Sequence, residues 1–298
     1  MFFILSGFVL APQIIWCINH APFKKNFSIF MMRRWLRTIP SYTAALVTIS
    51  FVASGAGVTD FVQYLFYVQN FFSITVDNDY YSVSWSLSVE EWFYVVFPVF
   101  LYVLHKKASL SITACVIIFV IFFSINRYLF VDYLKFEEDV RRLVAFRLDS
   151  IAFGFMLYIY QWQLRRIHIS VLATICVLSL IAALYTTGQF VNGGEQVGLM
   201  FFYVTPLFAS SMILIFLKAN KKIFERSILK QFSYFIGSIS YPIYLFHMLV
   251  ISLMVINKVE IHSFSNFIVF LTLTVILSFA FHIYYEKPIL KCRPRYKK

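Results

Sequence analysis

The chain has 298 residues, of which 60% are apolar and 13% are charged, and its mean hydropathy is +0.76. A soluble globular domain is about half apolar and about a quarter charged, so this composition excludes that class and indicates a polytopic membrane protein. The net charge is +12, but the basic residues are divided among separate loops, which argues against nucleic-acid binding. The cysteines (Cys17, Cys115, Cys176 and Cys292) lack the spacing of a metal or redox site.

The apolar segments predict a single all-α bundle of membrane spans, each needing roughly 20 residues. The first segment has no basic leading region, so it predicts a span and not a signal peptide. A shorter, polar-flanked stretch from Asp60 to Val76 predicts an interfacial or re-entrant element. In chain order, about nine spans are predicted, at about residues 2–21, 40–58, 86–104, 110–130, 143–161, 169–187, 198–217, 240–257 and 264–285.

The basic residues predict the orientation of these spans. When the loop that contains residues 24–37 is placed in the cytoplasm, about 20 of the 26 Lys and Arg fall on that side, as the positive-inside rule requires. Most of the acidic residues then fall on the opposite side. An odd number of spans places the first residue outside and the C-terminus in the cytoplasm.

Two adjacent acids, Glu90 and Glu91, lie in the apolar and aromatic segment WSLSVEEWFYVVFP, near the outer start of a predicted span. Ser88 and Glu91 match the S-x-x-E capping box, in which the acid satisfies unpaired backbone amides. Neighbouring residues on a helix point about 100° apart, so at most one acid caps while the other can face the bundle interior. A desolvated carboxylate in that position is suited to proton transfer.

Charged residues within a bilayer usually face a cavity or a partner, because a charge at mid-bilayer costs about 2.5–3.5 kcal/mol on insertion scales. His247 is a base by residue type, and a satisfied bundle histidine is the alternative. If Pro242 begins a helix, His247 lies roughly 8 Å inside the cytosolic end and roughly 15 Å from Glu90 along the membrane normal. The two residues are therefore not expected to form a catalytic pair. We predict instead that Glu90 or Glu91 faces a polar cavity shared with Arg147 or Asp149.

Several motifs give the chain a resemblance to acyltransferase family 3, the integral-membrane enzymes that O-acylate bacterial polysaccharides, lipopolysaccharide and peptidoglycan. The resemblance runs from end to end, and WSLSVEE with SYPIYLFH carries most of it. Members of that family begin with one more helix, which carries a basic residue and a His, so the resemblance implies a domain of residues 1–298 that is short at its N-terminus. The matching segments are FFILSGF (Phe2 to Phe8), RRWLRTIPSY (Arg33 to Tyr42), WSLSVEEWFYVVFP (Trp85 to Pro98), FRLDSIAFG (Phe146 to Gly154), ISYPIYLFH (Ile239 to His247) and YYEKP (Tyr284 to Pro288).

The resemblance implies transfer of an acyl group, expected to be acetyl, from acyl-CoA to a hydroxyl of a cell-surface carbohydrate or glycolipid, with no bound cofactor or metal. It implies Glu90, Glu91 and His247 as catalytic candidates. Arg34 and Arg37, at i and i+3, share a helix face and are expected to bind donor phosphates, the alternative being positive-inside retention. The remaining substrate-binding candidates are Arg147 and Asp149, which otherwise reach the interface, Ser6, for which helix packing is the default, and Glu286, for which a role at a helix end is equally open; His282 is expected to be structural.

The resemblance also implies a multi-pass protein of the bacterial inner membrane, in contact with its lipids. Two alternatives stay open. A glycan or lipid transporter or flippase would also keep charges along a path, although the sequence shows no internal duplication. A catalytically silent membrane partner is the other alternative, because the first helix of the family pattern does not precede Phe2 in this sequence.

Overall fold

The computed structural model describes residues 1–53, 57–77, 79–130, 141–191, 195–218, 227–259 and 263–294. These ranges are helical and contain no strand, which confirms the predicted all-α class. Short 3₁₀ segments precede α4 and α6, and a π-helical segment follows α4 and another follows α11. The helices are α1 (Phe2–Asn19), α2 (Phe23–Val52), α3 (Val58–Leu65), α4 (Trp85–Tyr102), α5 (Ile112–Phe130), α6 (Leu148–Leu164), α7 (Ile169–Val191), α8 (Glu195–Leu199), α9 (Phe201–Lys218), α10 (Ser227–Ile256), α11 (Phe264–Phe281) and α12 (Lys287–Lys291).

Seven helical segments within the described ranges are long and apolar enough to cross a membrane. The nine predicted spans are consistent with these seven together with α2 and α6. The helix α6 has only 17 residues, and α2 has 30 residues but carries its basic residues in its first half. The short helix α3 covers the first part of the stretch Asp60–Val76, and the interfacial or re-entrant placement of that stretch stays a prediction. The seven segments are Phe2–Asn19, Ser82–Lys107, Ile112–Phe130, Ile169–Gln189, Val197–Lys218, Leu229–Ile256 and Phe264–Lys291.

The chain forms two compact units. In the first unit, buried side chains of α1, α6, α7 and α9 form an apolar core around Leu157 and Ile213. The second unit contains most of α2, together with α3 and the three C-terminal helices. The first unit comprises Met1–Phe27, Asn70–Ile74 and Trp85–Ala219, and the second comprises Ser28–Gln69, Thr75–Ser84 and Asn220–Lys298.

Two glycines bring α1 and α6 into backbone contact in the first unit. A Cβ atom at Gly7 would lie 1.9 Å from the carbonyl oxygen of Ile151, and a Cβ atom at Gly154 would lie 2.0 Å from that of Ile4. Small residues permit such close approach of membrane helices. Gly7 is therefore the residue at which α1 packs closely against α6, and Ser6 beside it, for which helix packing was the default interpretation, is half-buried.

Tyrosine hydroxyls tie the helices of the second unit to backbone carbonyls. The Tyr241 hydroxyl in α10 donates to the carbonyl oxygen of Thr38 in α2 at 3.0 Å. The Tyr81 hydroxyl donates to the carbonyl oxygen of Leu245 at 3.2 Å. These bonds fix the SYPIYLFH segment of α10 against α2 and against the segment that precedes α4.

The predicted capping box is wrong, because α4 begins at Trp85 and is preceded by the 3₁₀ turn Ser82–Ser84. Ser88 therefore lies inside the helix, whereas an N-cap residue has non-helical backbone angles. The segment offers a serine at every second position from Ser82 to Ser88, so the sequence pattern did not determine where the helix begins.

The predicted start of a helix at Pro242 is also wrong, because α10 continues through this proline. Membrane helices tolerate internal proline, since neighbouring groups satisfy the freed backbone. His247 lies about 30 Å along the axis from Ser227 and about 14 Å from Ile256, at roughly 1.5 Å per residue. The predicted depth of His247 assumed a helix start at Pro242, so it does not hold. The separation from Glu90 was calculated from that depth and does not hold either.

The expected helix end at Glu286 is absent, because the C-terminal helix continues beyond this residue. The helix α11 passes through the π-helical segment His282–Glu286 into α12, which ends at Lys291. Pro288 lacks the N–H that would bond to Tyr284, and an α-helical register would bring its ring against that carbonyl. The wider π turn accommodates the proline without ending the helix.

Candidate functional site

An open groove of about 1090 Å³ lies in the second unit between α2, α10 and the C-terminal helix. Aromatic side chains form much of its wall, and cationic side chains reach it from all three helices. Such a combination is suited to a ligand that carries both anionic and apolar groups. The lining residues on which the argument depends are Tyr234, Phe235 and Phe279 on the wall, Arg37, Lys230 and Lys287 as cations, and His282 and Glu286.

Arg293 concentrates further positive charge beside Arg37 of the groove. Burial lowers the pKa of the Arg293 guanidinium to about 10, and repulsion from Arg37, Arg34 and Arg33 contributes a smaller part of this change. The Nε and Nη2 atoms of Arg293 have no hydrogen-bond acceptor among the described residues. The predicted pair Arg34 and Arg37 thus belongs to a cluster of arginines that an anion would stabilise.

His282 and Glu286 form a hydrogen-bonded pair in the groove. The Nδ1 atom of His282 lies 2.7 Å from Oε2 of Glu286, one helical turn further along. The Glu286 side chain is buried and the imidazole is partly exposed. The structure therefore gives His282 a carboxylate partner and places both residues in the wall of the groove, although the sequence analysis treated them separately.

A second polar site lies in the first unit, where Asp149 is fully buried. Its carboxylate accepts hydrogen bonds from both terminal nitrogens of Arg127, at 2.7 and 2.5 Å. Arg127 also donates to the carbonyl oxygen of Phe146 at 2.5 Å. The partner that the sequence analysis required for Asp149 is therefore Arg127, a residue that it did not select.

Arg147 lies next to this ion pair and is surrounded by aromatic rings. Its guanidinium carbon is 5.4 Å from the ring centre of Phe3, 5.8 Å from that of Trp85 and 4.8 Å from that of Phe202. The side chain is buried, and its Nε atom has no acceptor among the described residues. Arg147 therefore does not extend to the interface but forms cation–π contacts inside the unit.

Glu90 and Glu91 are both buried, with 5% and 7% of their surface exposed. Neither side chain points outward, so the idea of a lipid-facing acid is excluded for both. Ser86 and Ser88, on the same part of α4, are buried as well. The cavity that would join one of these acids to Arg147 or Asp149 stays a prediction.

His247 makes a local contact within α10. Its Nδ1 atom lies 3.2 Å from the carbonyl oxygen of Ile243, one turn earlier, and its ring lies 5.8 Å from that of Tyr244. The side chain is half-buried. This surrounding fits the bundle-histidine alternative, and the catalytic role of His247 stays a prediction.

A comparison with known families matches residues 1–283 to the model of the acyltransferase 3 family, described as an acyltransferase domain. The chain belongs to the acyltransferase 3 family. It is also 25% identical over 211 residues to an uncharacterized protein of Haemophilus influenzae, a match that covers 62% of this chain and 85% of that protein. No solved structure matches the chain.

Membership of the acyltransferase 3 family confirms the resemblance that the motifs indicated and makes the chain a multi-pass member of a membrane acyltransferase family. The structure adds Arg127 and Arg293 to the polar residues of interest. Arg127 ends an apolar span, and an Arg at a span end usually reaches the interface. Arg293 stands in a basic tail that the orientation rule already explains. Arg127 and Arg293 differ from ordinary interfacial or topogenic arginines only through their contacts in the fold, which are Asp149 for Arg127 and the other arginines for Arg293.

Proposed function

We propose that the protein is a multi-pass enzyme of the bacterial inner membrane that transfers an acyl group, expected to be acetyl, from acyl-CoA to a hydroxyl of a cell-surface carbohydrate. The observation that carries the proposal is the cationic groove of the second unit, with Arg37, Lys230 and Lys287 in its wall. Family membership supplies the reaction class, and the groove is proposed to bind the donor.

The chemistry of the groove supports an acyl-CoA donor. Coenzyme A carries phosphate groups at one end and a long, uncharged arm that ends in the thioester. Phosphates pair with arginine and lysine, and the charge-assisted hydrogen bonds contribute about 1.5–3 kcal/mol each. The phosphate end could bind to the unpaired Nε and Nη2 atoms of Arg293. The uncharged arm could lie against the aromatic wall around Phe235.

The buried acids of α4 support the acyl-transfer step. A hydroxyl attacks a thioester more readily when a nearby group accepts its proton, which contributes about 10²–10⁴ to the rate. Glu90 and Glu91 are carboxylates held away from lipid, and one of them is proposed to orient the acceptor hydroxyl towards the group that accepts its proton. Arg147 and Asp149 are proposed to act in binding the acceptor.

Membranes that contain the full chain, labelled acetyl-CoA and isolated surface glycan test the proposal. Label is expected on the glycan with wild-type protein and is expected to be lost with Glu90→Gln. Arg37→Gln is expected to raise the KM for the donor about 10–100-fold, because one charged hydrogen bond to phosphate is lost. Lys25→Gln is the matched control, since Lys25 is an exposed cation outside the groove, and it is expected to leave the KM unchanged.

The alternatives give different results in the same membranes. Movement of glycan across the membrane without label would support a transporter, and neither label nor movement would support a silent partner. Binding of coenzyme A is also measured in nanodiscs with and without anionic lipid. Competition by anionic lipid with no turnover of donor would show that the groove binds lipid headgroups and would contradict the proposal.

A further inference from the structure

The His282–Glu286 pair in the groove has the geometry of a base with its orienting carboxylate. An ionised Glu286 has no hydrogen to donate, so in that state the Nδ1 atom of His282 donates the 2.7 Å hydrogen bond. The other ring nitrogen, Nε2, then carries a lone pair. The same division of roles fixes the imidazole tautomer in catalytic triads, where the carboxylate also stabilises the imidazolium that forms.

The helix geometry holds this pair in place. The two residues begin and end the π-helical segment His282–Glu286, and such segments inside α-helices occur frequently at functional sites. Glu286 is 3% exposed, so its carboxylate has little freedom to leave the imidazole. His282 retains 17% of its side-chain surface and lines the groove.

The charges that face the pair come from every helix of the groove. Arg37 of α2, Lys230 of α10 and Lys287 of the helix that carries the pair line the same groove, while Arg293 lies near Arg37 and Glu286. Anionic phosphates in the groove would pair with these cations, which would hold a bound donor beside the imidazole.

We propose that His282 is a general base of the donor groove and that Glu286 is its positioning residue. This inference rests on the proposed acyl transfer from acyl-CoA. The hydroxyl that attacks the thioester gives its proton to Nε2 of His282 as the new C–O bond forms. The C–S bond then breaks, and the leaving thiolate takes the proton from Nε2, which yields the ester and free coenzyme A and regenerates the neutral imidazole.

The test uses the purified full chain with labelled acetyl-CoA and glycan acceptor. His282→Gln is expected to lower kcat by about 10²–10⁴, because glutamine cannot accept the proton, while the Kd for coenzyme A changes less than about threefold. Glu286→Gln is expected to lower kcat and to move the acid limb of the rate–pH profile to lower pH, since an imidazolium then lacks its carboxylate. His168→Gln is the control, because His168 is an exposed histidine outside the groove.

Several outcomes would overturn the inference. An active wild type whose His282→Gln variant keeps its kcat and its acid limb would overturn it and leave the proposed function intact. If His282→Gln loses both its binding of coenzyme A and its thermal stability, the role of His282 is structural. If His282→Gln does not fold, the wild-type profile decides, because a rate without an acid limb between about pH 5 and 8 excludes a histidine base. Wild-type protein that binds the donor and transfers nothing overturns the proposed function and this inference together.

Discussion

At the scale of single residues, the buried pair Arg127–Asp149 is expected to dominate the stability of the first unit. Removing one partner of a buried ion pair leaves an uncompensated charge and costs about 3–5 kcal/mol. Asp149→Asn is therefore expected to lower the free energy of unfolding by that amount. Denaturant unfolding of the protein in detergent, followed by tryptophan fluorescence, measures the change.

A double-mutant cycle separates this effect from simple loss of packing. Arg127→Met combined with Asp149→Leu removes both charges at similar volume, and such replacements are often neutral. The double variant is expected to be more stable than Asp149→Asn alone. Equal destabilisation of the double variant and of its two single variants, Arg127→Met and Asp149→Leu, would show that the pair contributes through shape and not through charge.

Arg293 leads to a prediction about charge in the second unit. Burial and the neighbouring arginines lower the pKa of its guanidinium to about 10 on folding. The folded protein therefore holds this proton less tightly than the unfolded chain does, and the charged form destabilises the fold at every pH below about 10. The penalty decreases as the pH rises above about 10.

Arg293→Gln is accordingly expected to raise the melting temperature at neutral pH and low salt. The gain should shrink as salt screens the arginine cluster. Coenzyme A should stabilise the wild type more than the variant, since its phosphates contact the charge that the variant lacks. Differential scanning fluorimetry in detergent measures both effects, with Lys25→Gln as the control. A lower melting temperature for Arg293→Gln would contradict the argument.

The residues of the candidate site could be predicted only in part from the sequence. Charged residues within apolar segments are costly and are therefore candidates for a functional role. This argument selected Glu90, Glu91, Arg147 and Asp149, and all four are buried in the structure. The partner of Asp149 could not be selected in this way, because it lies on another helix and nothing in the local pattern of Arg127 distinguishes it from an interfacial arginine.

At the scale of helices, the contact between α1 and α6 depends on two glycines. Gly7→Ala and Gly154→Ala each place a Cβ within about 2 Å of a backbone carbonyl, which no rotamer can relieve, so the helices must separate. Large destabilisation, above roughly 3 kcal/mol, is expected for both. Thermal unfolding in detergent and the yield of monodisperse protein measure it.

Gly188 provides the matched control for these variants. It lies in α7, and a Cβ there would have no neighbour within 4 Å. Gly188→Ala is expected to be neutral or to stabilise by up to about 1 kcal/mol, because alanine favours a helix over glycine. If all three alanine variants behaved alike, helix propensity and not the close contact would explain the result.

The existence of the helices could be predicted from apolar runs, but their ends could not. A proline usually ends a helix in water, and this expectation misplaced the start of α10 at Pro242. In a membrane the alternative of unsatisfied backbone groups is costlier, so helices pass through proline. The same reason explains why α1, α2, α4 and α9 contain Pro12, Pro40, Pro98 and Pro206.

At the scale of the whole molecule, composition was the most informative feature. A chain with 60% apolar residues leaves few ways to satisfy its backbone except helices, and the described residues are helical. Composition alone does not determine the count of spans, because α6 has only 17 residues and α2 is polar in its first half. Whether a helix such as α2 packs among apolar helices depends on tertiary contacts, and local hydropathy carries no information about these.

The orientation of the whole chain leads to the last prediction, which uses a natural reporter. Cys292 is exposed, whereas Cys17 and Cys115 are buried and Cys176 is half-buried in α7. Lys287, Lys291 and Arg293 surround Cys292 in the sequence, and basic residues next to a span remain in the cytoplasm. A membrane-impermeant maleimide is therefore expected to label the protein in inverted vesicles and not in intact spheroplasts. Cys292→Ser should abolish the label, and labelling of intact spheroplasts would place the groove outside the cytoplasm, away from the pool of acyl-CoA.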